Sequence, residues 1–239
     1  IALLLPALGK ARETARAVVC ASKLGQMGLA VHVYAADHKE AIPPTNIPFG
    51  PGSGTWTTTG PRRWPSLLVS TGVLPGEVID SGFDVTLGDP FICPSDPTGK
   101  PGERVNNAHG NVGYIPNRAV MPENGDNNPT GLYYMHQFDQ PSRRITFAET
   151  DASDDPALVP WPFVISVGIF RGPTDLNRMI EKLNGRHGGE PRQASMNLAH
   201  LDGHVGRDTY ESVTEPAMQR LGGATVAEAD PTGMWGDKP

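Results

Sequence analysis

The chain has 239 residues, of which 38 % are hydrophobic, so it is long enough for one globular domain and too polar for an integral membrane protein. Its 28 glycines and 24 prolines favour an α+β fold with many turns over a helical bundle. The net charge of −6 and the scattered basic residues argue against nucleic acid as a partner.

The chain starts with an apolar run, IALLLPAL, over residues 1–8. This run is shorter than the roughly 20 residues that cross a membrane, and it lacks the basic start of a signal peptide. We therefore expect it to be the end of a longer apolar helix. The basic residues Lys10, Arg12 and Arg16 follow it, at a place where they could contact anionic lipid headgroups.

Residues 1–38 are predicted to form one long helix, which Pro43 and Pro44 follow. At about 1.5 Å per residue this helix is longer than most small domains are wide. Gly25 and Gly28 either weaken it or allow close packing. Its apolar residues recur mostly every three or four positions, with one gap of six, and predict a single stripe: Leu4, Leu8, Ala11, Ala15, Val18, Leu24, Met27, Val31 and Tyr34.

The rest of the chain alternates short elements with loops. Two more helices and a last short one are predicted at residues 64–73, 174–184 and 215–221. Loops are predicted at 45–62, 95–111 and 122–131, and a poorly ordered tail from residue 222. Extended segments are predicted at 91–94, 112–115, 144–148, 163–170, 196–201 and 204–208.

Asp202 and Gly203 lie between the last two predicted strands and predict a two-residue hairpin turn with Gly203 at positive φ. In such a turn His200 and His204 point to opposite faces of the hairpin. They would then not share a metal ion, although His187, His200, Asp202 and His204 together could suggest a metal or acid–base cluster. We expect the hairpin to be structural.

No catalytic pattern is evident. Ser153 and Ser195 lack the Gly-x-Ser-x-Gly elbow of serine hydrolases. The two cysteines, Cys20 and Cys93, show no local catalytic signature and no Cys-x-x-Cys spacing. They could be an oxidised pair in an exported protein or two buried free thiols. We expect a protein that is not an enzyme.

Several segments resemble one family. Residues 4–44 resemble the start of the type IV pilin-like (pseudopilin) proteins of the planctomycete-type prepilin cleavage/methylation family with an H-X9-DG domain. The shared features are LLPAL at 4–8, the basic residues at 10–12, Cys20, the run at 26–30 and Tyr34. Later segments that also match the family are Trp64 with Leu67, FICPSD at 91–96, RHGG at 186–189 and DGHV at 202–205. These segments and the features at 4–44 are here called matching islands. The family's nine residues between histidine and Asp-Gly are fourteen here, 188–201.

This resemblance implies a pilin-like α+β fold: a helix at 1–44 packed on an antiparallel sheet, a globular part at 45–221 and a tail at 222–239. It implies a structural subunit of an extracellular pilus-like or pseudopilus filament. The residues that would pack in the filament are Leu4, Leu5, Pro6, Leu8, Ala11, Ala15 and Val18.

The implied partners are copies of the chain, other pilin-like subunits and assembly machinery, with an inner-membrane anchor before assembly and the periplasm or cell surface as location. The length and the apolar start of the predicted helix also favour a membrane anchor and assembly with other helices. A helix that outreaches its domain and is apolar at the free end needs lipid or other helices around that end.

The resemblance also implies a disulfide between Cys20 and Cys93, since both belong to the matching islands. We expect no cofactor, and calcium is the alternative that related pseudopilins suggest. Its candidate ligands are Glu149, Asp151, Asp154 and Asp155, although such acidic loops are usually only solvated. The alternative function is a membrane-tethered surface binding protein for a glycan or protein, with Trp56 and Trp64 as stacking residues.

Overall fold

The structure is a computed structural model and shows an α+β fold, as predicted: a long N-terminal helix packed on an antiparallel sheet. All statements below refer to the residues that it describes. These are residues 4–45, 64–79, 84–95, 104–105, 113–117, 120–121, 132–149, 187, 194–209 and 212.

The helix α1 is described over Leu4–Asp37, 34 residues. Alanine, leucine, lysine and arginine, all strong helix formers, supply much of its sequence. The chain leaves the helix through two residues in the left-handed region, Lys39 and Glu40 (φ 56° and 66°). The amide of Glu40 donates to the carbonyl of Ala35 at 2.7 Å, which closes the helix end. A second helix, α2, spans Trp64–Ser70.

The described residues also form two antiparallel sheets. The smaller has the order β1-β2-β3, with β1 at Gly76–Ile79, β2 at Asp84–Leu87 and β3 at Arg104–Val105. The larger has the order β4-β5-β6-β7, with β4 at Tyr114–Pro116, β5 at Ile145–Glu149, β6 at Ser195–His200 and β7 at Val205–Thr209. Short 3-10 turns lie at Asp89–Phe91, Met135–Gln137 and Pro141–Arg143.

The core lies between α1, α2 and the larger sheet. Trp64 is fully buried, and its ring packs against Phe91 and Phe147 with centroids 5.7 and 5.3 Å apart. The buried face of α1 closes the core from one side. It consists of Ala17, Cys20, Leu24, Met27, Ala30, Val31, Tyr34 and Ala35.

The apolar residues of α1 form two stripes on opposite faces, so the prediction of one stripe is wrong. Leu8 and Val18 are exposed, whereas Leu24 and Met27 are fully buried. The reason is the gap of six residues after Val18, which turns the helix by about 240° instead of returning to the same face. The residues before the gap face solvent, and those after it face the core.

Two helical glycines lie where β7 and its turn approach α1. A Cβ atom added to Gly25 would lie 3.8 Å from a methyl group of Val205, and one added to Gly28 would lie 3.7 Å from the Cα of Gly203. Both distances are ordinary van der Waals contacts. An alanine side chain would therefore fit at both positions, so the packing of the helix on the hairpin does not require either glycine.

The hairpin between β6 and β7 has a three-residue loop, which corrects the prediction of a two-residue turn. His200 pairs with His204, since its amide donates to the carbonyl of His204 at 2.9 Å. The amide of Gly203 donates to the carbonyl of His200 at 2.9 Å. Gly203 has φ +91°, the positive value that was predicted. This combination, a tight turn followed by a left-handed glycine, is a common hairpin loop.

Other predicted elements agree in place but differ at their ends. The helix predicted at 64–73 ends at Ser70, and the strands predicted at 112–115 and 144–148 are described at Tyr114–Pro116 and Ile145–Glu149. The extended segment predicted at 91–94 begins instead in the 3-10 turn Asp89–Phe91. The small sheet was not predicted. The elements predicted at 163–170, 174–184 and 215–221, and the tail from 222, lie outside the described residues.

In the part of the chain that the structure describes, no helix has both the length and the apolarity to span a membrane.

Candidate functional site

The outer face of α1 carries exposed apolar side chains. Leu8, Val18, Val19 and Leu29 are 50, 64, 43 and 55 % exposed. Among the described residues these are the exposed large hydrophobic side chains, and all four lie on this helix. Five of the residues predicted to pack in a filament are exposed: Pro6, Leu8, Ala11, Ala15 and Val18. The structure does not describe the side chains of the other two, Leu4 and Leu5.

The opposite face of α1 is fixed to the domain by a buried histidine. His187 is 1 % exposed. Its Nδ1 lies 2.9 Å from Oε1 of Glu13 on α1, and its Nε2 lies 3.0 Å from Oε1 of Glu149 on β5. A neutral imidazole has one N–H, so it can donate to both carboxylates only as the imidazolium ion. Two carboxylates at hydrogen-bond distance from the two ring nitrogens favour the imidazolium form.

Asn197 satisfies the rest of the Glu149 carboxylate, which is fully buried. The backbone amide of Asn197 donates to Oε2 of Glu149 at 2.8 Å, and its side-chain amide donates to Oε1 at 2.8 Å. The same side-chain amide donates to the carbonyl of Ala17 on α1 at 3.0 Å. Glu149, predicted as a calcium ligand, is thus engaged inside the protein. Asp151, Asp154 and Asp155 lie outside the described residues, so calcium at that loop stays a prediction.

The backbone around His187 is positioned by the larger sheet. Its amide donates to the carbonyl of Ser195 at 3.1 Å, and the Ser195 hydroxyl donates back to the carbonyl of His187 at 2.7 Å. Arg207 on β7 donates to the Ser195 hydroxyl at 2.8 Å. Ser195 is therefore a structural residue here, in agreement with the absence of a hydrolase motif around it.

A second set of contacts ties α1 to the segment 89–95. The Lys23 ammonium is buried and donates to the carbonyl of Ile92 at 2.8 Å, and it forms an ion pair with Asp89 at 3.0 Å. The hydroxyl of Ser95 donates to Oε1 of Glu13 at 2.9 Å. The helix thus reaches both the sheet and this segment through charged side chains.

The structure joins Cys20 and Cys93, the pair that the resemblance implies, in a disulfide with a Cα–Cα distance of 5.5 Å. Both cysteines are fully buried. Gly113 packs against this bridge, and a Cβ atom added there would lie 2.7 Å from the backbone nitrogen of Cys93. That distance is too short for any side chain, so the glycine is required by close approach.

The hairpin tip places two histidines on the same face, contrary to the prediction. The rings of His200 and His204 are stacked with centroids 4.1 Å apart, because the three-residue loop pairs these two residues. Burial and the charge of His204 lower the pKa of His200 to about 4. His204 in turn contacts Asp202 at 2.6 Å. Among the described residues, Asp202 contacts His204 whereas His187 contacts Glu13 and Glu149, so Asp202 and His187 belong to different contact networks.

Trp64 cannot stack on a glycan, because it is fully buried in the core. Trp56 lies outside the described residues, as does Ser153. The binding-protein alternative therefore loses one of its two predicted contact residues.

The sequence analysis missed the role of Glu13, and it grouped His187 with the hairpin histidines instead of with Glu13 and Glu149. Glu13 lies on the helix face that carries Ala17 and Cys20, about one helical turn before Ala17. A carboxylate on a face otherwise destined for the core is a signal for a buried cationic partner.

The stability of the protein should depend on pH through the charge on His187. The measurement is made with the Cys20–Cys93 disulfide intact and with a metal chelator in the buffer. Burial lowers the pKa of His187, but hydrogen bonds from its ring and the charges of Glu149 and Glu13 outweigh this and raise it. A raised folded pKa gives stability that is complete below the unfolded value of about 6.5 and lost as the pH rises through the folded value. We expect urea midpoints to fall above pH about 6.5 in the native protein and not in His187→Gln.

Glu13 and His200 change their charge at lower pH and leave that comparison clear. The pKa of Glu13 is raised by burial but lowered more by the hydrogen bonds and charges of His187, Ser95 and Arg16. Its contribution is lost only as the pH falls through that lowered value. His200, with its lowered pKa, likewise loses its contribution on acidification. A midpoint that does not change above pH 6.5 in the native protein would contradict an imidazolium at His187.

No curated protein and no solved structure matches the chain. Residues 9–75, which include most of α1 and all of α2, match the model of the family described as a protein of unknown function (DUF1559). This family is associated with planctomycete prepilin-like proteins. Over these residues the chain is similar to that family.

Proposed function

We propose that this chain is a structural, non-catalytic subunit of a type IV pilin-like or pseudopilus filament, in which the outer face of α1 packs on the helices of other copies. The observation that carries this proposal is the apolar stripe from Leu8 to Leu29 on a helix whose other face is already docked. The similarity of residues 9–75 to a prepilin-associated family supports it.

The exposed stripe has enough apolar surface to favour association. Full burial of a valine or leucine side chain is worth about 1.5–3 kcal/mol, and four such residues lie on this face. Residues 6–12 are exposed on every side of the helix, so neighbours can surround that segment. A contact between different surfaces of neighbouring copies repeats without closing and produces a filament.

The location follows from the same proposal. The disulfide Cys20–Cys93 is typical of a protein that leaves the cytosol. We place the subunit in the inner membrane before assembly and at the cell surface or in the periplasm afterwards. Its partners are copies of itself, other pilin-like subunits and the assembly machinery, and nucleic acid is not among them.

The test is to place a charge on the stripe. Leu8→Asp and Val18→Asp should each prevent filament formation, because a carboxylate would be buried without a partner between helices. Both side chains are exposed in the single chain, so folding should be unchanged. Electron microscopy of material sheared from cells that express the full processed subunit measures assembly, and circular dichroism of the purified subunit measures folding.

Ser142→Asp is the matched control, since it adds the same charge at an exposed position outside α1. It should assemble like the native subunit. Filaments of normal length from Val18→Asp would overturn the proposal. If the native subunit stays monomeric at high concentration and on cells, the tethered binding protein is the better explanation.

A further inference from the structure

Four potential metal ligands meet beneath α1. The sulfur atoms of Cys20 and Cys93, one carboxylate oxygen of Glu149 and one ring nitrogen of His187 all lie within 4.8 Å of one another. All four residues are buried. They come from α1, the segment 89–95, β5 and a residue paired with β6, so the fold itself assembles them. In the disulfide form the sulfurs cannot bind a metal as thiolates.

The distances suit a tetrahedral ion. Zinc binds sulfur at about 2.3 Å and nitrogen or oxygen at about 2.0–2.2 Å, so its ligands lie roughly 3.3–3.8 Å apart. The Nε2 of His187 and Oε1 of Glu149 are 3.0 Å apart and share a proton. Replacing that proton with a zinc ion requires only a small separation of the two side chains. Opening the disulfide allows the sulfurs to separate to the distance that the ion needs.

The surrounding contacts are those of a metal-bound histidine. Ligand histidines usually donate their second N–H to a carboxylate, which fixes the ring and increases its basicity. Here Nδ1 of His187 faces Glu13 at 2.9 Å, and Ser95 holds that carboxylate. Asn197 holds the carboxylate of Glu149 with two further hydrogen bonds. Both non-sulfur ligands are therefore oriented before any ion arrives.

We propose that reduction of the Cys20–Cys93 disulfide converts this cluster into a zinc site with two thiolates, one imidazole and one carboxylate. The mixture of soft sulfur with nitrogen and oxygen ligands favours zinc over calcium or magnesium. Four protein ligands in a buried place leave no open position, so the ion would be structural. It would hold α1 on the domain when the disulfide is open.

The chemistry balances with a dithiol as the reductant. The dithiol gives two electrons and two protons to the disulfide and itself becomes a disulfide, and Cys20 and Cys93 each become a thiol. The ion then displaces one proton from each thiol and the proton shared by His187 and Glu149. Three protons leave for each zinc that binds, and no oxidation state of the metal changes.

The experiment compares the oxidised and reduced full chain. The protein is reduced anaerobically with dithiothreitol, freed of it by gel filtration, and titrated with Co²⁺ and then with Zn²⁺. We expect one Co²⁺ per reduced chain, with the sulfur-to-cobalt and tetrahedral d–d absorption bands, and displacement by Zn²⁺. The oxidised chain should show neither band. Binding without a sulfur band, or equal binding by the oxidised chain, would overturn the proposal.

Variants separate this site from adventitious binding elsewhere. Cys93→Ser and Glu149→Gln should weaken zinc binding at least 100-fold. Glu13→Gln should weaken it 10–100-fold and keep the sulfur band, because Glu13 positions the histidine without touching the ion. His204→Gln, which removes an exposed histidine outside the cluster, should bind like the native chain. An effect of His204→Gln equal to that of Glu149→Gln would place the ion at the hairpin and refute the proposal.

The reduced chain also provides a readout of folding. If it unfolds without metal, stoichiometric Zn²⁺ should restore its circular dichroism spectrum, because binding to the folded form alone shifts the equilibrium. If it stays folded, Zn²⁺ should raise its melting temperature, and the Glu149→Gln variant should show no such rise. A reduced chain that remains unfolded in saturating Zn²⁺ would refute the site.

Discussion

Replacement of His187 by leucine is expected to lower the free energy of unfolding by about 3–5 kcal/mol, the usual cost of removing one member of a buried ion pair. The reason is that Glu149 is fully buried and His187 is its cationic partner at 3.0 Å. Without it the carboxylate must lose its charge or remain unpaired in the core. Urea unfolding of the oxidised protein, followed by circular dichroism, measures the loss.

Two further variants distinguish a lost charge pair from a packing defect. His187→Leu combined with Glu149→Gln should regain part of the loss, because it removes the buried charge as well. Glu13→Gln should cost less than His187→Leu, since its side chain is 27 % exposed and has Ser95 as another partner. A double variant as unstable as the sum of its two single variants would show that the pair is not coupled.

Replacement of both Cys20 and Cys93 by alanine should cost about 4 kcal/mol, the value that the chain-entropy model gives for a loop of this size. The two residues are 73 positions apart, so the open chain gains many conformations when unfolded. Alanine also removes two buried sulfur atoms, and their lost contacts add to the cost. The measurement is urea unfolding in metal-free buffer at one pH.

The control for this prediction is to add a reductant to the native protein and to the double alanine variant and to compare their stabilities. Dithiothreitol should destabilise the native protein in chelator and leave the double alanine variant unchanged. A double variant within 1 kcal/mol of the native protein would mean that the bridge contributes little to stability. Gly113→Ala, which forces a side chain against Cys93, should by contrast destabilise the protein even when the bridge is intact.

The long helix could be predicted well, because its composition and its proline ending are local signals. The resemblance implied that the part of the helix up to Val18 stays free for the filament, but the spacing pattern alone did not show that Leu24 to Tyr34 form a separate stripe that meets the domain. The gap between Val18 and Leu24 was the visible sign of the change of face. Six residues rotate an α-helix by about 240°, so this gap separates the stripe that faces solvent from the stripe that packs on the domain.

The buried charge network was out of reach for a different reason. Glu13 and His187 are 174 residues apart, and no local pattern pairs residues over such a distance. The disulfide was accessible only through the resemblance, which linked Cys20 and Cys93 as parts of matching islands. The small sheet was missed because its strands are two to four residues long and lack clear alternation.

The hairpin shows how one residue changes a site. Asp-Gly is a strong signal for a two-residue turn, and Gly203 does adopt positive φ. The loop has three residues instead, so the pairing shifts and His200 faces His204. Register decides which side chains share a face, and turn residues alone did not determine it.

The covalent bridge between helix and domain also determines how force would travel through an assembled subunit. Load that enters at the free part of α1 reaches Cys20 and passes directly to Cys93, which adjoins the core. The chain between the two cysteines, which contains the rest of α1 together with α2, β1 and β2, lies outside that covalent route. In the proposed filament, tension would therefore leave this segment folded, and the part of α1 before Cys20 would carry the load.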